Sequence, residues 1–173
     1  MMILLAGGGR ANVAGVQLAW AAAETRSDRR FRARTLLREL LSVGTRLAFT
    51  QVCSRCGGEH GQVRVLIDGR PGPLVSVSYT GQLAVVAVAP PGATALGIDA
   101  EIESDATRRA VREAIGADDL RAWLRWEAAA KARGTGLREL PATETSNSPA
   151  LTFHEFAVEL DTGERALVSV AIG

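Results

Sequence analysis

Three carboxylates and one ammonium in two short stretches have the types and spacing of a metal and phosphate site. In WLRWEAAAKARGTGL, Glu127 and Lys131 lie four residues apart, so a helix would place both on one face. In GIDAE, Asp99 and Glu101 lie two residues apart in a β-prone context, so a strand would point both carboxylates the same way. Oxygen ligands of this kind suit Mg²⁺ or Mn²⁺ better than zinc. A hard dication beside an ammonium is what a pyrophosphate-containing substrate requires.

A purely structural role of these charged residues would produce the same spacing in the sequence. Glu127 and Lys131 also form an ideal surface ion pair on a helix, worth a few tenths of a kcal/mol. Acidic pairs at strand ends are common as well. On the residues alone, the structural interpretation is slightly the better of the two.

Composition limits the remaining classes of function. The chain has 173 residues, of which 47% are hydrophobic and 23% charged, which fits one globular domain or two small lobes sharing a core. The net charge of +1 gives no electrostatic case for nucleic acid or for an anionic membrane. No apolar run is long enough to cross a bilayer, and no basic leader precedes the apolar N-terminus. We therefore expect a cytoplasmic monomer without nucleic-acid or membrane partners.

Periodicity and breaker residues predict the elements that must position these groups. In the first half we expect a strand over 2–6, a turn at 7–9, a helix or loop over 17–24, an arginine-rich helix over 28–43, and strands over 62–67 and 74–88. The helix carries Arg34 and Arg38 four residues apart, either on a solvated face or on a phosphate-facing edge. After the break Pro90-Pro91-Gly92 we expect a strand over 95–101, helices over 105–115 and 118–133, and a hairpin of 151–160 with 165–172.

The two halves of this pattern look alike, since each places a helix before a hairpin. This weak internal repeat predicts an α+β fold of two similar lobes, 1–91 and 92–173, packed with pseudo-twofold symmetry. A site built from the strand after the break and the last helix would then lie at the lobe interface, where ligand clefts often occur.

A second candidate metal site is the segment CSRCGGEHG. Cys53, Cys56 and His60 give too few ligands for a structural zinc site, because the second histidine is distant and no second CxxC exists. A turn with two small buried thiols is the better interpretation.

Four segments in order resemble one known family. GIDAE followed by WxxxEAxxKxxGxGL resembles the two signature motifs of 4′-phosphopantetheinyl transferases of the two-lobed, surfactin-synthetase-activating type. Upstream, VSVSYTG occupies the place of the family's FN(I/L)SHSG, and CSRCGGEHGQV is similar to its C-x-x-C-G-x-x-H-G-(K/R)-P segment. The helix around ARTLLRELL is similar to the family's first-lobe arginine helix. Together the segments cover most of the chain.

The resemblance implies that coenzyme A binds between two lobes and that its phosphopantetheine arm passes to a serine of a carrier protein, releasing 3′,5′-ADP. Asp99, Glu101 and Glu127 would then hold Mg²⁺ or Mn²⁺ on the pyrophosphate, and Glu127 would help to take the serine proton. Lys131 would bind the phosphates of coenzyme A.

The resemblance also implies a nucleotide site, with Ser78 near the nucleotide and Arg34 at the 3′-phosphate. Tyr79 stands where the family has a histidine, so it offers a hydrogen bond without charge. Trp126 replaces the lysine before the metal-binding glutamate, and Gln62 replaces the basic residue of the upstream segment. An accessory binding protein of a biosynthetic pathway, without transfer activity, is the alternative that these losses favour.

Overall fold

Three antiparallel sheets and three helices make up the described part of this mixed α+β chain. The computed structural model describes residues 8–41, 46–53, 56–59, 61–135 and 150–173. The strands are β1 Gly8–Val13, β2 Val16–Ala22, β3 Leu47–Thr50, β4 Arg64–Ile67, β5 Arg70–Pro71, β6 Val75–Thr80, β7 Leu83–Val88, β8 Leu96–Ile102, β9 Thr152–Glu159 and β10 Arg165–Ile172. The helices are α1 Arg29–Leu41, α2 Asp105–Ile115 and α3 Leu120–Arg133.

Two of the sheets form the body of the fold. The N-terminal sheet has the strand order β1-β2-β7-β6, and the C-terminal sheet has the order β8-β10-β9. A third, small sheet has the order β3-β4-β5. Strand β7 is buried along its whole length and lies between β2 and β6, so it is a central strand of the N-terminal sheet.

One hydrophobic core joins the two larger sheets. Leu18 and Val85 of the N-terminal sheet share it with Ile98 and Val168 of the C-terminal sheet, and all four are at most 1% exposed. Helix α1 covers the opposite face of the N-terminal sheet, while α3 packs on β8 and β10 of the C-terminal sheet. The order of layers is therefore helix, sheet, sheet, helix.

The two larger sheets meet along β6 and β8 through side-chain hydroxyls. The backbone N–H groups of Ile98, Ala100 and Ile102 donate to three hydroxyl oxygens of β6, at distances of 3.0, 3.1 and 3.0 Å. The acceptors are, in that order, Ser76, Ser78 and Thr80. Because side chains alternate along a strand, every second residue of β6 faces β8. These three hydroxyl groups accept from backbone N–H groups at the edge strand β8, which would otherwise need a neighbouring strand as their partner.

Several predicted elements are confirmed and three are corrected. Helix α2 has the predicted bounds, and α3 begins at Leu120 because the Asp119 carboxylate caps it by accepting from the N–H of Ala122 at 2.9 Å. The helix or loop expected over 17–24 is wrong for residues 17–22, which lie in strand β2. Its side chains are buried on both faces, one toward the core and one toward α1, which hides the alternation of a strand.

The other two corrections concern glycines. The strand expected over 74–88 is two strands, because Gly81 takes a φ of 53° and opens a two-residue hairpin between β6 and β7. Gly8 and Gly9 lie in β1 rather than in a turn, and Gly9 leaves room for the ring of Trp20. The strand expected over 2–6 lies outside the described residues. None of the described helices has the length and apolar character needed to span a membrane.

Candidate metal and phosphate site

A glycine sets how closely α3 approaches β8. A methyl group on Gly97 would overlap the carbonyl oxygen of Ala128, so the helix backbone lies directly against the strand. On the helix side, Ala128, Ala129 and Ala130 are buried and small. This contact explains why a glycine precedes the carboxylates of β8 and why alanines follow Glu127.

The close approach brings the three predicted metal ligands together. Asp99 and Glu101 lie on β8 and Glu127 lies on α3, and their carboxylate oxygens all lie within 4.8 Å of one another. Asp99 is 3% exposed and Glu127 is 8% exposed, while Glu101 is partly exposed. This acidic triad has the donor set, the separation and the partial access to solvent that a hard divalent cation requires.

Lys131 completes the cluster from one turn further along α3. Its Nζ donates to Asp99 Oδ1 at 2.6 Å and to the Ser78 hydroxyl at 3.2 Å. Ser78 in turn donates to Asp99 Oδ1 at 3.0 Å while accepting from the N–H of Ala100. Ser78, Asp99 and Lys131 therefore form one hydrogen-bonded network that fixes the position of the ammonium beside the triad.

Burial and mutual repulsion change the acid strength of the triad. Burial raises the pKa of Glu127 to about 9, helped by a hydrogen bond to Asp99 and by the Asp99 charge, with Lys131 opposing. Burial also raises the pKa of Glu101, and the negative charge of Asp99 adds to this effect. Thr80 opposes the shift by donating to Glu101 Oε2 at 3.1 Å. Without a cation, Glu127 therefore holds a proton near neutral pH.

The residues present fit a divalent cation. Asp99 Oδ2 is buried and accepts no hydrogen bond from a fixed donor among the described residues, so only a protonated Glu127 can donate to this oxygen. A buried carboxylate oxygen without a donor is costly, and a cation shared with Glu101 and Glu127 would satisfy it.

Two of the remaining predicted ligand residues, Arg34 and Tyr79, lie on the side of β6 that faces away from the triad. Ser78 faces the triad, but Tyr79 points toward α1, where it lines a narrow cavity together with Arg30 and Arg34. The guanidinium of Arg29 lies 5.4 Å from the centre of the Tyr79 ring. Burial raises the pKa of Tyr79 although the three neighbouring arginines lower it, so its phenol stays neutral. Arg34 and Tyr79 share one cavity, and the triad is not part of it.

Sequence reasoning missed two residues that support the site. Thr80 holds Glu101, and its position two residues after Ser78 on a strand was the available signal. Gln62 Nε2 donates to the backbone oxygen of Lys131 at 3.4 Å, so a residue treated only as a lost basic contact ties the first half of the chain to α3.

The cysteine segment differs from its prediction in part. The turn is confirmed, since the N–H of Gly57 donates to the carbonyl of Cys53 at 2.9 Å. The expectation of two buried thiols is wrong for Cys56, which is exposed, while Cys53 is partly buried. Gly57 has a φ of 72°, and the N–H of Cys53 donates to the carbonyl of Gly58 at 2.8 Å. His60 lies outside the described residues.

Comparison with known proteins gives no assignment. No model of a known protein family matches the chain, and no curated protein matches it.

Proposed function

We propose that this protein transfers the 4′-phosphopantetheine arm of coenzyme A to a serine of an acyl or peptidyl carrier protein, with Mg²⁺ or Mn²⁺. The observation that carries the proposal is the convergence of Asp99, Glu101 and Glu127 within 4.8 Å, with Lys131 on Asp99. These are the four residues that the two signature-like motifs supply, and they come from two separate elements, β8 and α3.

In this proposal Lys131, Glu127 and the acidic triad have separate roles in the transfer reaction. The carrier serine oxygen attacks the β-phosphorus, the bond from this phosphorus to the bridging oxygen breaks, and 3′,5′-ADP leaves with the bond's electrons. Lys131 binds the phosphates, and Glu127, as a carboxylate in the loaded site, takes the serine proton directly or through water. The cation, held by the acidic triad, would neutralise charge on the pyrophosphate.

The proposal also assigns a nucleotide side and a two-lobed architecture. Arg34 and Tyr79 would meet the 3′-phosphate of coenzyme A across β6 from Ser78, at the surface beside Arg30, because the cavity of about 10 Å³ that they line is too small to enclose a phosphate. The lobes 1–91 and 92–173 would be related by a pseudo-twofold axis. In support, each half covers one face of its own sheet with a helix, although the sheets have four and three strands.

Two substitutions favour an accessory binding protein instead. Tyr79 is neutral where the family has a histidine. Trp126, where the family has a lysine, lies against Trp123 with ring centroids 5.0 Å apart and ring planes tilted by 50°. With two cationic contacts absent, coenzyme A would be held without the charge that supports transfer.

Transfer from a fluorescent coenzyme A to a panel of apo carrier proteins tests the proposal. We expect labelling that requires Mg²⁺ and is lost in Glu127→Ala. Glu113→Ala, which removes an exposed carboxylate from α2, should leave labelling unchanged.

The same samples should be titrated with coenzyme A by calorimetry. Binding of coenzyme A without labelling of any carrier would favour the accessory protein. The absence of both carrier labelling and coenzyme A binding would overturn the transferase proposal.

A further inference from the structure

A cavity of about 530 Å³ opens on the far side of α3 from the acidic triad. It lies between α3, the edge strand β9 and the turn that joins β1 to β2. Its volume falls within the range of small-molecule sites. Neither the triad nor Lys131 lines this cavity, so it is a second site rather than an extension of the first.

One carboxylate organises the basic wall of this cavity. Glu155 accepts from Arg121 Nη1 at 2.6 Å through Oε2 and from Arg125 Nε at 2.6 Å through Oε1. Burial alone would raise the pKa of Glu155, but the hydrogen bonds and charges of the two guanidinium groups lower it. Glu155 therefore stays ionised and fixes two arginines that project from successive turns of one helix.

The arrangement leaves an excess of positive charge and many donors facing the cavity. Two guanidinium groups share one carboxylate, so the cluster has a net charge of +1. Each guanidinium has five N–H donors. Among the described residues, each uses one of these donors in a hydrogen bond to Glu155. The remaining donors match the planar oxygens of a carboxylate or the oxygens of a phosphate.

The other walls are suited to an apolar body. Phe153, which is 37% exposed, lies on β9 beside the arginine pair. Val13 lines the cavity from the end of β1. An anion without an apolar part would leave these walls in contact with water.

The cavity is also positioned relative to the acidic triad. Asp99, Ser169 and Glu155 are aligned on the neighbouring strands β8, β10 and β9, so Glu155 is two strands from Asp99. At strand spacing this separation is about 10 Å. The two sites thus lie on opposite flanks of α3.

We propose that this cavity is a second binding site, for a small organic anion with a carboxylate or phosphate group on an apolar body. Arg121 and Arg125 bind the anionic group, and Phe153 with Val13 contacts the body. The proposal is independent of coenzyme A binding at the triad.

Calorimetric titration with phenyl phosphate, phenylacetate and inorganic phosphate tests it. We expect phenyl phosphate or phenylacetate to bind more tightly than inorganic phosphate, and the better of the two identifies the anionic group. Arg125→Gln should weaken binding about tenfold or more, because a hydrogen bond to a charged group is lost. The matched control is Arg112→Gln, another ion-paired surface arginine of the same half, which does not line the cavity.

Arg125→Gln removes one of the two guanidinium groups that neutralise the Glu155 carboxylate, so the variant could lose stability as well as binding. A folding defect must therefore be separated from a binding defect. The variant Arg121→Gln/Arg125→Gln/Glu155→Gln removes the carboxylate together with both partners, and its thermal midpoint is compared with that of the wild type. A folded triple variant that no longer binds would support the site. Equal binding by wild type and triple variant, or no binding of either aromatic anion to the wild type, would overturn it.

Discussion

Lys131 Nζ lies 2.6 Å from Asp99 Oδ1, which joins a helix and a strand at the centre of the acidic triad. One ammonium cannot neutralise three carboxylates, and Glu127 compensates by holding a proton. With Glu127 protonated, two carboxylates still face one ammonium, so the site without a cation keeps an excess of negative charge and a buried carboxylic acid. Binding of a dication would exchange that proton for metal charge.

The first prediction concerns that exchange. Mn²⁺ or Mg²⁺ should raise the thermal midpoint of the wild type, and a concentration about tenfold above Kd should add about 1.4 kcal/mol to the free energy of unfolding. Asp99→Asn should lose most of this stabilisation, because it removes the most buried ligand. Glu103→Gln, which removes an ion-paired carboxylate just after β8, is the control and should retain it. Equal stabilisation of both variants would argue against the triad as the site.

The second prediction is a dependence of stability on pH. The pKa of Glu127 is about 9 in the folded chain and near 4.5 when unfolded, so the folded state binds more protons between these values. Its contribution is complete below the unfolded pKa and is lost as pH rises through the folded pKa. Urea unfolding without metal should show stability falling from about pH 4.5 to about pH 9. Glu127→Gln should flatten the curve, and Glu113→Gln should not.

Saturating Mg²⁺ should remove the same pH dependence in the wild type, because the bound cation replaces the proton. A metal-free wild type whose stability rises over this range would show that Glu127 is ionised in the folded chain.

The chemistry of the site was easier to predict than the elements around it. The spacings of Asp99 with Glu101 and of Glu127 with Lys131 correctly placed each pair on one face, because strand and helix periodicity act within a few residues. The burial of β2 between a core and a helix depends on packing across the whole chain, so Trp20 and its neighbours gave no usable alternation. Tyr79 and Ser78 point to opposite faces of β6, as the alternation of side chains along a strand requires. The prediction of one nucleotide site for both residues did not apply this alternation.

The third prediction tests the contact between α3 and β8. Gly97→Ala would force a methyl group into the backbone of the helix at Ala128, and we expect a loss of about 3 kcal/mol or more in the free energy of unfolding. Gly8→Ala is the matched strand substitution, because the nearest atom to its added methyl group would lie at 3.6 Å. Its unfolding midpoint in urea should stay close to that of the wild type. Equal midpoints for the two variants would contradict the close approach of helix and strand.

The fourth prediction separates two serines of β6. Ser76 and Ser78 each accept from a backbone N–H of β8, so either serine-to-alanine change should cost about 1–3 kcal/mol of stability. Only Ser78 also contacts Asp99 and Lys131. Ser78→Ala should therefore weaken Mn²⁺ binding about tenfold, as loss of a group that orients a metal ligand does, while Ser76→Ala should not. Calorimetric titration of both variants decides this, and an equal loss of affinity would assign Ser78 a structural role alone.

The fifth prediction concerns the nucleotide side of the proposed transferase. Arg34 lines a cavity with Tyr79, and if it meets the 3′-phosphate, Arg34→Gln should raise KM for coenzyme A about tenfold, since a charged hydrogen bond is lost. The same variant should leave KM for dephospho-coenzyme A unchanged, because that substrate has no 3′-phosphate. Arg38→Gln is the control one turn along α1, where the guanidinium lies over the Phe49 ring. An equal effect of Arg34→Gln on both substrates would mean that Arg34 acts on the fold of α1 and not on the phosphate.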